Sequence, residues 1–271
     1  MVPQYLKDFN DTLAEFRKLF PVNKWTSEFR DNLINDYSFF SSRVEDPKLQ
    51  YGETIRFLNG ETIRGANFKS LTGISKHQAI LKNILDSIDS FNISEDSIKN
   101  IHRALMEDEE AWEVEFRKEL IGNYRNIPTV GSRQPLFKNK EYAPHFNLEI
   151  IMASNIDFFN RAFEDIDNNI EKKHLLNRIA YFHNKFLNEI HPFADGNGRV
   201  CRIIIGTILM KNNCPPIFPE IKTTEEQIEY ITTIMKCEQT NSNEPLTKYF
   251  ALGMTEYLKM RIDEHKKLKN L

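Results

Sequence analysis

Apolar residues recur along most of this chain at spacings of three and four, which is the signature of amphipathic helices rather than strands. A first helix is expected over Leu6 to Phe20, stopped by Pro21. A second follows Ser27 as its cap, with Phe29, Leu33, Tyr37, Phe40 and Val44 on one face, and ends at SSRVEDP, where Pro47 disfavours helical geometry at Asp46. Residues 47 to 71 read as irregular, with LNGE and RGAN as turn signals. Helices are expected again from Ser75 to Ile88, after a Ser94 cap through Leu105, and from Leu148 to Phe163. The acidic stretch MEDEEAWEVEF reads as a solvated helical face. The clearest stripe is Leu175, Ile179, Phe182, Phe186 and Ile190. The next helix, starting at Asn197, is apolar on most sides (Ile203, Ile204, Ile205, Ile208, Leu209) and belongs at the centre of the fold. Thr223 followed by Glu226 spells a capping box, and a last helix runs from Pro245 to the end. Helical character breaks over 127 to 147, IPTVGSRQPLFKNKEYAPHFN, a proline-rich stretch too long for an ordinary connection.

Composition narrows the picture. The 271 residues are 40% hydrophobic and 28% charged, with a formal balance of −3, so no basic excess points to nucleic acid as a partner. Cys201, Cys214 and Cys237 are odd in number and widely spaced, which indicates reduced thiols rather than a disulfide framework or zinc ribbon. The first residues carry acids and no apolar signal core, and the apolar run Ile203 to Met210 is too short to span a bilayer. The expectation is a soluble cytoplasmic protein that binds no membrane.

Two helical patterns meet at residues 191 to 202, HPFADGNGRVCR. Gly196 and Gly198 flank Asn197 at the start of the apolar helix, where glycine backbone and unpaired N–H groups make a nest for an anion such as phosphate. Arg199 and Arg202 lie three apart at the same helix end. Cations there oppose the helix dipole, and make better sense if they hold an anion. Asp195, beside the nest, is placed to share Mg²⁺ with bound phosphates. His191 supplies a ring that is available as a base near neutral pH. The dipole of the preceding helix would favour its protonation, and the arginines would oppose it. Phe193 reads as a core anchor and His183 as a packed histidine. A calcium loop would need a glutamate at position 206, which is glycine, and no P-loop pattern is present.

HPFADGNGRVCR resembles the Fic signature HPFx(D/E)GNGRxxR and matches it at every defined position. The resemblance covers roughly residues 95 to 250. It implies an all-α Fic fold: a helical bundle with a central motif-bearing helix pair and a short β-hairpin flap, preceded by a helical extension. The domains expected are 1–94 for the extension and 95–271 for the core and C-terminal helices. The family mostly transfers AMP from ATP to a hydroxyl of a target protein. Carried over, His191 is the base, and Asp195 holds Mg²⁺. Gly196, Asn197 and Gly198 cradle the phosphates, Arg199 and Arg202 bind their outer oxygens, and segment 127–147 docks the target. Tyr230 is a candidate for the adenine side. A kinase-like variant of the family has Lys at the position of Gly198, which disfavours that activity here.

Many Fic proteins also carry an inhibitory helix with the pattern [S/T]xxxE[G/N]. Ser41 to Asp46 fits it except at Asp46, where Gly or Asn would release the helix end more easily. The resemblance implies that Glu45, with Ser41, inhibits the enzyme by a buried pairing with Arg202. The expected activity is therefore an autoinhibited protein adenylyltransferase using ATP and Mg²⁺. The alternatives are a deAMPylase in which Glu45 aligns a water, and a catalytically silent nucleotide-sensing or antitoxin-like module. The intact His191 argues against the silent module. A homo-oligomer is compatible with the sequence.

Overall fold

The computed structural model describes residues 2–63, 67–107, 118–129, 140–164 and 174–269, and among these it is helical with no strand. Its α-helices are α1 (Gln4–Leu19), α2 (Ser27–Arg43), α3 (Tyr51–Leu58), α4 (Phe68–Asp86), α5 (Glu95–Met106), α6 (Leu148–Glu164), α7 (Leu175–His183), α8 (Asn197–Lys211), α9 (Thr224–Thr240) and α10 (Glu244–Lys269). The β-hairpin expected within 127–147 is not found among the described residues, and 130–139 lie outside them. So do 108–117, which hold most of the acidic segment read as a helical face.

Local chemistry sets the helix ends. The Thr223–Glu226 box forms reciprocally: the Thr223 hydroxyl accepts from the Glu226 N–H at 3.2 Å, and the Glu226 carboxylate accepts from the Thr223 N–H at 3.1 Å. Ser94 and Ser97 make the same exchange at the start of α5. Two expectations are corrected. Thr26, not Ser27, caps α2, its hydroxyl accepting from the Phe29 N–H at 3.1 Å. The stretch from 47 to 71 is not irregular throughout, because it contains α3 and the first turn of α4, which Asn67 caps. Eight residues show too little periodicity to be read as a helix and are marginal alone. Tertiary contact supplies the rest: the Tyr51 hydroxyl donates to Asp36 on α2, which also accepts from Tyr257 on α10 at 2.7 Å.

Helix α8 is the axis of the fold, with twelve of its fifteen residues buried. Helix α2 crosses it closely at Gly206, where an added Cβ would come within 2.8 Å of the Tyr37 ring. The Tyr37 hydroxyl donates to the Arg202 carbonyl at 2.5 Å. Helix α4 packs on both α2 and α8, and α1 packs along α10. Phe9 and Phe16 of α1 are buried, each contributing roughly 1.5–3 kcal/mol relative to an exposed side chain. One apolar cluster runs from Leu6 to Ile262, so the helices within 1–94 share a core with those of 95–271. No helix among the described residues is long and apolar enough to cross a membrane.

The expected stripe from Leu175 to Ile190 changes winding midway. Helix α7 passes into a π-helical turn over Asn184–Ile190, closed by the His191 N–H donating to the Phe186 carbonyl at 2.9 Å. His191 then takes left-handed backbone angles, φ 51° and ψ 63°. π turns inside helices are often found at functional sites, and this one ends at the histidine of the motif.

Candidate active site

His191 sits at the corner between the π turn and the loop that opens α8. Its ring Nδ1 lies 2.8 Å from the Leu187 carbonyl. A carbonyl can only accept, so Nδ1 carries the proton and Nε2 keeps a lone pair. Tyr142 stacks on the ring at 4.1 Å between centroids. Burial pushes the ring's pKa down to about 4; the Leu187 carbonyl opposes this, the Arg125 charge reinforces it and Glu45 opposes it. Burial is therefore the largest influence on the ring, and the cation that acts on it is Arg125 rather than the arginines of the motif. The ring is neutral near pH 7, the state a general base requires.

The loop after His191 is closed on itself. The Asn197 side chain donates to the Phe193 carbonyl at 2.7 Å and accepts from the Phe193 N–H at 2.8 Å. Both its amide groups are thereby used inside the loop, and only its backbone is left for a ligand. Phe193 is fully buried and stacks on His102 at 3.9 Å, the anchor role expected of it. His102 in turn accepts from the Gly122 N–H at 2.9 Å and donates to the Asp195 carbonyl at 3.1 Å. Gly196 is left-handed at φ 76°, as a nest requires. Its N–H is taken by Asp195 Oδ1 at 2.7 Å.

The two arginines diverge. Arg199 lies 4.0 Å from Asp195 and its Nη2 is 3.3 Å from Met106 Sδ. Arg202 is only 1% exposed; its Nε donates to Ser41 Oγ at 2.8 Å and its Nη2 to Glu45 Oε1 at 2.7 Å. Its guanidinium also lies over the Phe218 ring at 5.9 Å. The Glu45 side chain is 55% exposed, so the pair is buried on the arginine side alone, unlike the fully buried pair the sequence suggested. Partial burial works against the Glu45 charge, but Arg202 outweighs it and holds the carboxyl below its ordinary range, with Arg199 and His191 adding to the effect. Solvent at the open side tempers that pull. The same carboxylate covers the nest: a Cβ built on Gly198 would lie 3.0 Å from Glu45 Oε1 and 2.9 Å from Arg202 Nη1. A larger residue there would displace the ends of both side chains.

Three contacts tether the end of α2. Arg43 donates to the Lys222 carbonyl at 2.8 Å, Gln227 of α9 donates to the Val44 carbonyl at 2.5 Å, and the Asp46 carboxylate accepts from Ser70 Oγ at 2.9 Å. Asp46 also accepts from Asn67 at 3.3 Å, at the N-terminus of α4, where a negative charge is favoured. Asp46 is not among the left-handed residues of the chain, so this turn has no need of the Gly or Asn that the sequence comparison called for. Losing these charge-assisted bonds would cost about 1 kcal/mol or more. Asp46→Ala is therefore expected to loosen the end of α2 roughly fivefold. Amide hydrogen exchange at Val44 and Glu45 checks this, and unchanged exchange would remove Asp46 from the tether.

Tyr230 is 1% exposed, inside a cluster with Phe218, His183 and Tyr249, and its hydroxyl meets His183 Nε2. It stands behind Arg202 and offers no open face to a base. His183 is the packed histidine expected. Sequence reasoning missed His77, His102, Arg125, Tyr142 and Gln227, which act from outside the motif. His77, buried between Ser38 at 3.0 Å and Ser41 at 3.1 Å, fixes the hydroxyl that Arg202 holds. A histidine spaced four from Gly73 and Leu81 on an apolar helix carried no signal of this. A metal would find the half-exposed carboxylate of Asp195 beside the nest, with that of Glu45 engaged by Arg202. No cluster of three His, Cys, Asp or Glu among the described residues could enclose an ion. That donor set fits Mg²⁺, which takes most of its ligands from water and phosphate.

Similarity to known proteins bears on the family and the fold. Residues 92–209 match the model of the Fic/DOC family. The protein adenylyltransferase fic-1 of Caenorhabditis briggsae is 25% identical over 228 residues, covering 82% of this chain and 40% of that protein. The protein adenylyltransferase Fic of Drosophila persimilis is 48% identical over 44 residues, 16% of this chain and 8% of that one. The chain thus spans less than half the length of these curated relatives. Among solved structures, a Fic domain containing signaling protein from Bacteroides thetaiotaomicron superposes with a TM-score of 0.73 at 20% identity, covering 96% of this chain and 97% of that chain. Fic-1 of C. elegans gives the same TM-score at 20% identity, covering 97% and 72%. At these identities the structures bear on the fold, which is all-helical as expected.

Proposed function

Because residues 92–209 of this chain carry a Fic/DOC family domain, we propose that the protein transfers AMP from ATP to a hydroxyl side chain of a target protein, and that Glu45 restrains it. The observation that carries the proposal is the 2.8 Å contact of His191 Nδ1 with the Leu187 carbonyl, which assigns the proton of the neutral ring to Nδ1 and leaves Nε2 as the acceptor, five residues before the candidate phosphate nest.

The reaction follows the logic of phosphoryl transfer, in which positioning and charge neutralisation do most of the work. The target hydroxyl oxygen attacks the α-phosphorus of ATP and its proton passes to His191 Nε2. The bond from the α-phosphorus to the oxygen bridging to the β-phosphate breaks, and pyrophosphate leaves. The backbone of Gly196, Asn197 and Gly198 cradles the phosphates, and Arg199 and Arg202 bind the outer ones. Asp195 would hold Mg²⁺, which supplies charge neutralisation to the phosphates. Turning to these partners requires Asp195 to release the Gly196 N–H and Arg202 to release Glu45. The target chain docks at 127–147, the segment that contains Tyr142.

The labelled atom tests the reaction. Glu45→Gly protein incubated with a target lysate is expected to pass label from α-labelled ATP and none from γ-labelled ATP. Label from the γ-position would replace AMP transfer with phosphorylation, and none from either would remove the transferase reading. A second reading has one observation behind it. Glu45 is half exposed and close enough to His191 to influence its charge, so it could orient a water for AMP removal. Release of AMP from a premodified target by wild type, lost in Glu45→Gly, would favour that reading.

A further inference from the structure

We propose that Arg125 is a positioning residue for this reaction: its buried guanidinium binds main-chain carbonyls of the His191 corner and of both ends of segment 127–147, and holds the catalytic ring in register with them. The inference rests on the proposed role of His191 as base.

Arg125 is 2% exposed, yet no carboxylate among the described residues pairs with it. Its Nε donates to the His191 carbonyl at 2.8 Å and its Nη2 to the Ile190 carbonyl at 3.4 Å. Its Nη1 donates to the Ile127 carbonyl at 3.1 Å, and Nη2 also donates to the Ala143 carbonyl. Two main-chain bonds run alongside: the Arg125 N–H to the Pro192 carbonyl and the Ala143 N–H to the Glu189 carbonyl, both 2.9 Å. Three stretches of chain far apart in sequence are thereby joined at one fork.

A buried cation without an acid partner is costly unless dipoles satisfy it. Here the carbonyls ending the π turn do so, since a helix C-terminus favours positive charge. The planar, five-donor guanidinium can serve several acceptors at fixed angles, and a lysine cannot. Its first acceptor is the carbonyl of His191, a non-glycine residue in left-handed geometry, a conformation that persists only when surroundings over-determine it. The fork is the over-determining contact on one side, and the Nδ1 bond to Leu187 is the contact on the other. Tyr142, next to Ala143, stacks on the ring. Moving the fork would therefore shift the base and its covering ring together, while the nest at 196–198 is held separately by Asn197 and His102.

The test uses the full chain carrying Glu45→Gly, with Arg125→Gln and Arg125→Lys added. A base displaced by about 1 Å loses roughly 100-fold in rate. The Gln variant is expected to lose kcat by about that factor, and the Lys variant by about 10-fold, with KM for ATP changed by less than about threefold. Nitrogen-15 spectra of histidine-labelled protein should show His191 protonated at Nδ1 in the parent, and averaged over both tautomers in the Arg125 variants. Thermal melts identify folded variants. If the Gln variant does not fold, the Lys variant carries the test. An unchanged kcat, a parallel loss through KM, or an unaltered His191 tautomer in a folded variant would overturn the proposal. The spectra need no turnover. A parent that transfers no AMP therefore counts against the proposed function, and the tautomer result still decides the role of Arg125.

Discussion

Glu45→Gly should raise the rate of AMP transfer about 100-fold over wild type, measured as label incorporated from α-labelled ATP. The carboxylate now holds Arg202 at 2.7 Å and lies against Gly198, where the proposed reaction needs room for the outer phosphates. Removing it frees the guanidinium and opens the nest at one stroke. Arg202 keeps Ser41 as a partner, and Ser41 keeps His77, so the arginine remains oriented when the carboxylate is gone. The fold should survive. Glu45 lies beyond the last turn of α2, its side chain is 55% exposed, and a half-exposed pair contributes little net stability. Affinity for ATP should change less than turnover if, as proposed, the carboxylate acts by misaligning the phosphates rather than by excluding the nucleotide. Equal initial rates in the two proteins, with both folded, would remove Glu45 as a restraint.

Two kinds of information were legible in the sequence. Helix boundaries set by capping chemistry could be read from a few adjacent residues, as Thr223 with Glu226 and Ser94 show. A candidate phosphate nest could be read because glycines, an acid and arginines fall within twelve residues. What could not be read is tertiary in origin. Helix α3 is held by Tyr51 reaching Asp36, a contact that leaves no periodic trace. The change from α to π winding before His191 is invisible to a pattern that records only which residues are apolar. Arg125 is in a turn-rich stretch with nothing to mark it, since its partners are carbonyls, which every residue has. Asp46 looked like a defect in a short pattern, and its carboxylate turns out to be bonded to α4. The side chains that touch the nest were thus legible, and those that hold its parts in place were not.

His191→Ala in the Glu45→Gly background should abolish detectable transfer, a loss of about 10²–10⁴-fold, while the thermal melt stays near that of the parent. Among the described residues the ring bonds to the Leu187 carbonyl alone, and the corner itself is held through main-chain carbonyls by Arg125. Alanine therefore removes the base together with its bond to Leu187, while the Arg125 fork still holds the corner, although a left-handed alanine is less comfortable than the histidine it replaces. The same ring sets the pH dependence. Its pKa is lowered to about 4 from an ordinary 6.5, so the neutral form prevails above about 4 and the rate should be flat from pH 6 to 8, falling only as the pH drops toward 4. A profile that instead rises through pH 6.5 would place the titrating base in solvent, contrary to its burial under Tyr142. Acid also threatens the fold, because burial depresses His77 and His183 to about 3. Neutral burial of these rings supports the folded state above 6.5, and that support is lost progressively as the pH falls from there toward 3. The acid limb is accordingly measured on protein shown by its circular dichroism to be folded at each pH. Arg125→Lys, which keeps the charge beside the ring, should leave that limb in place while lowering the plateau. His191→Ala should leave no plateau to titrate.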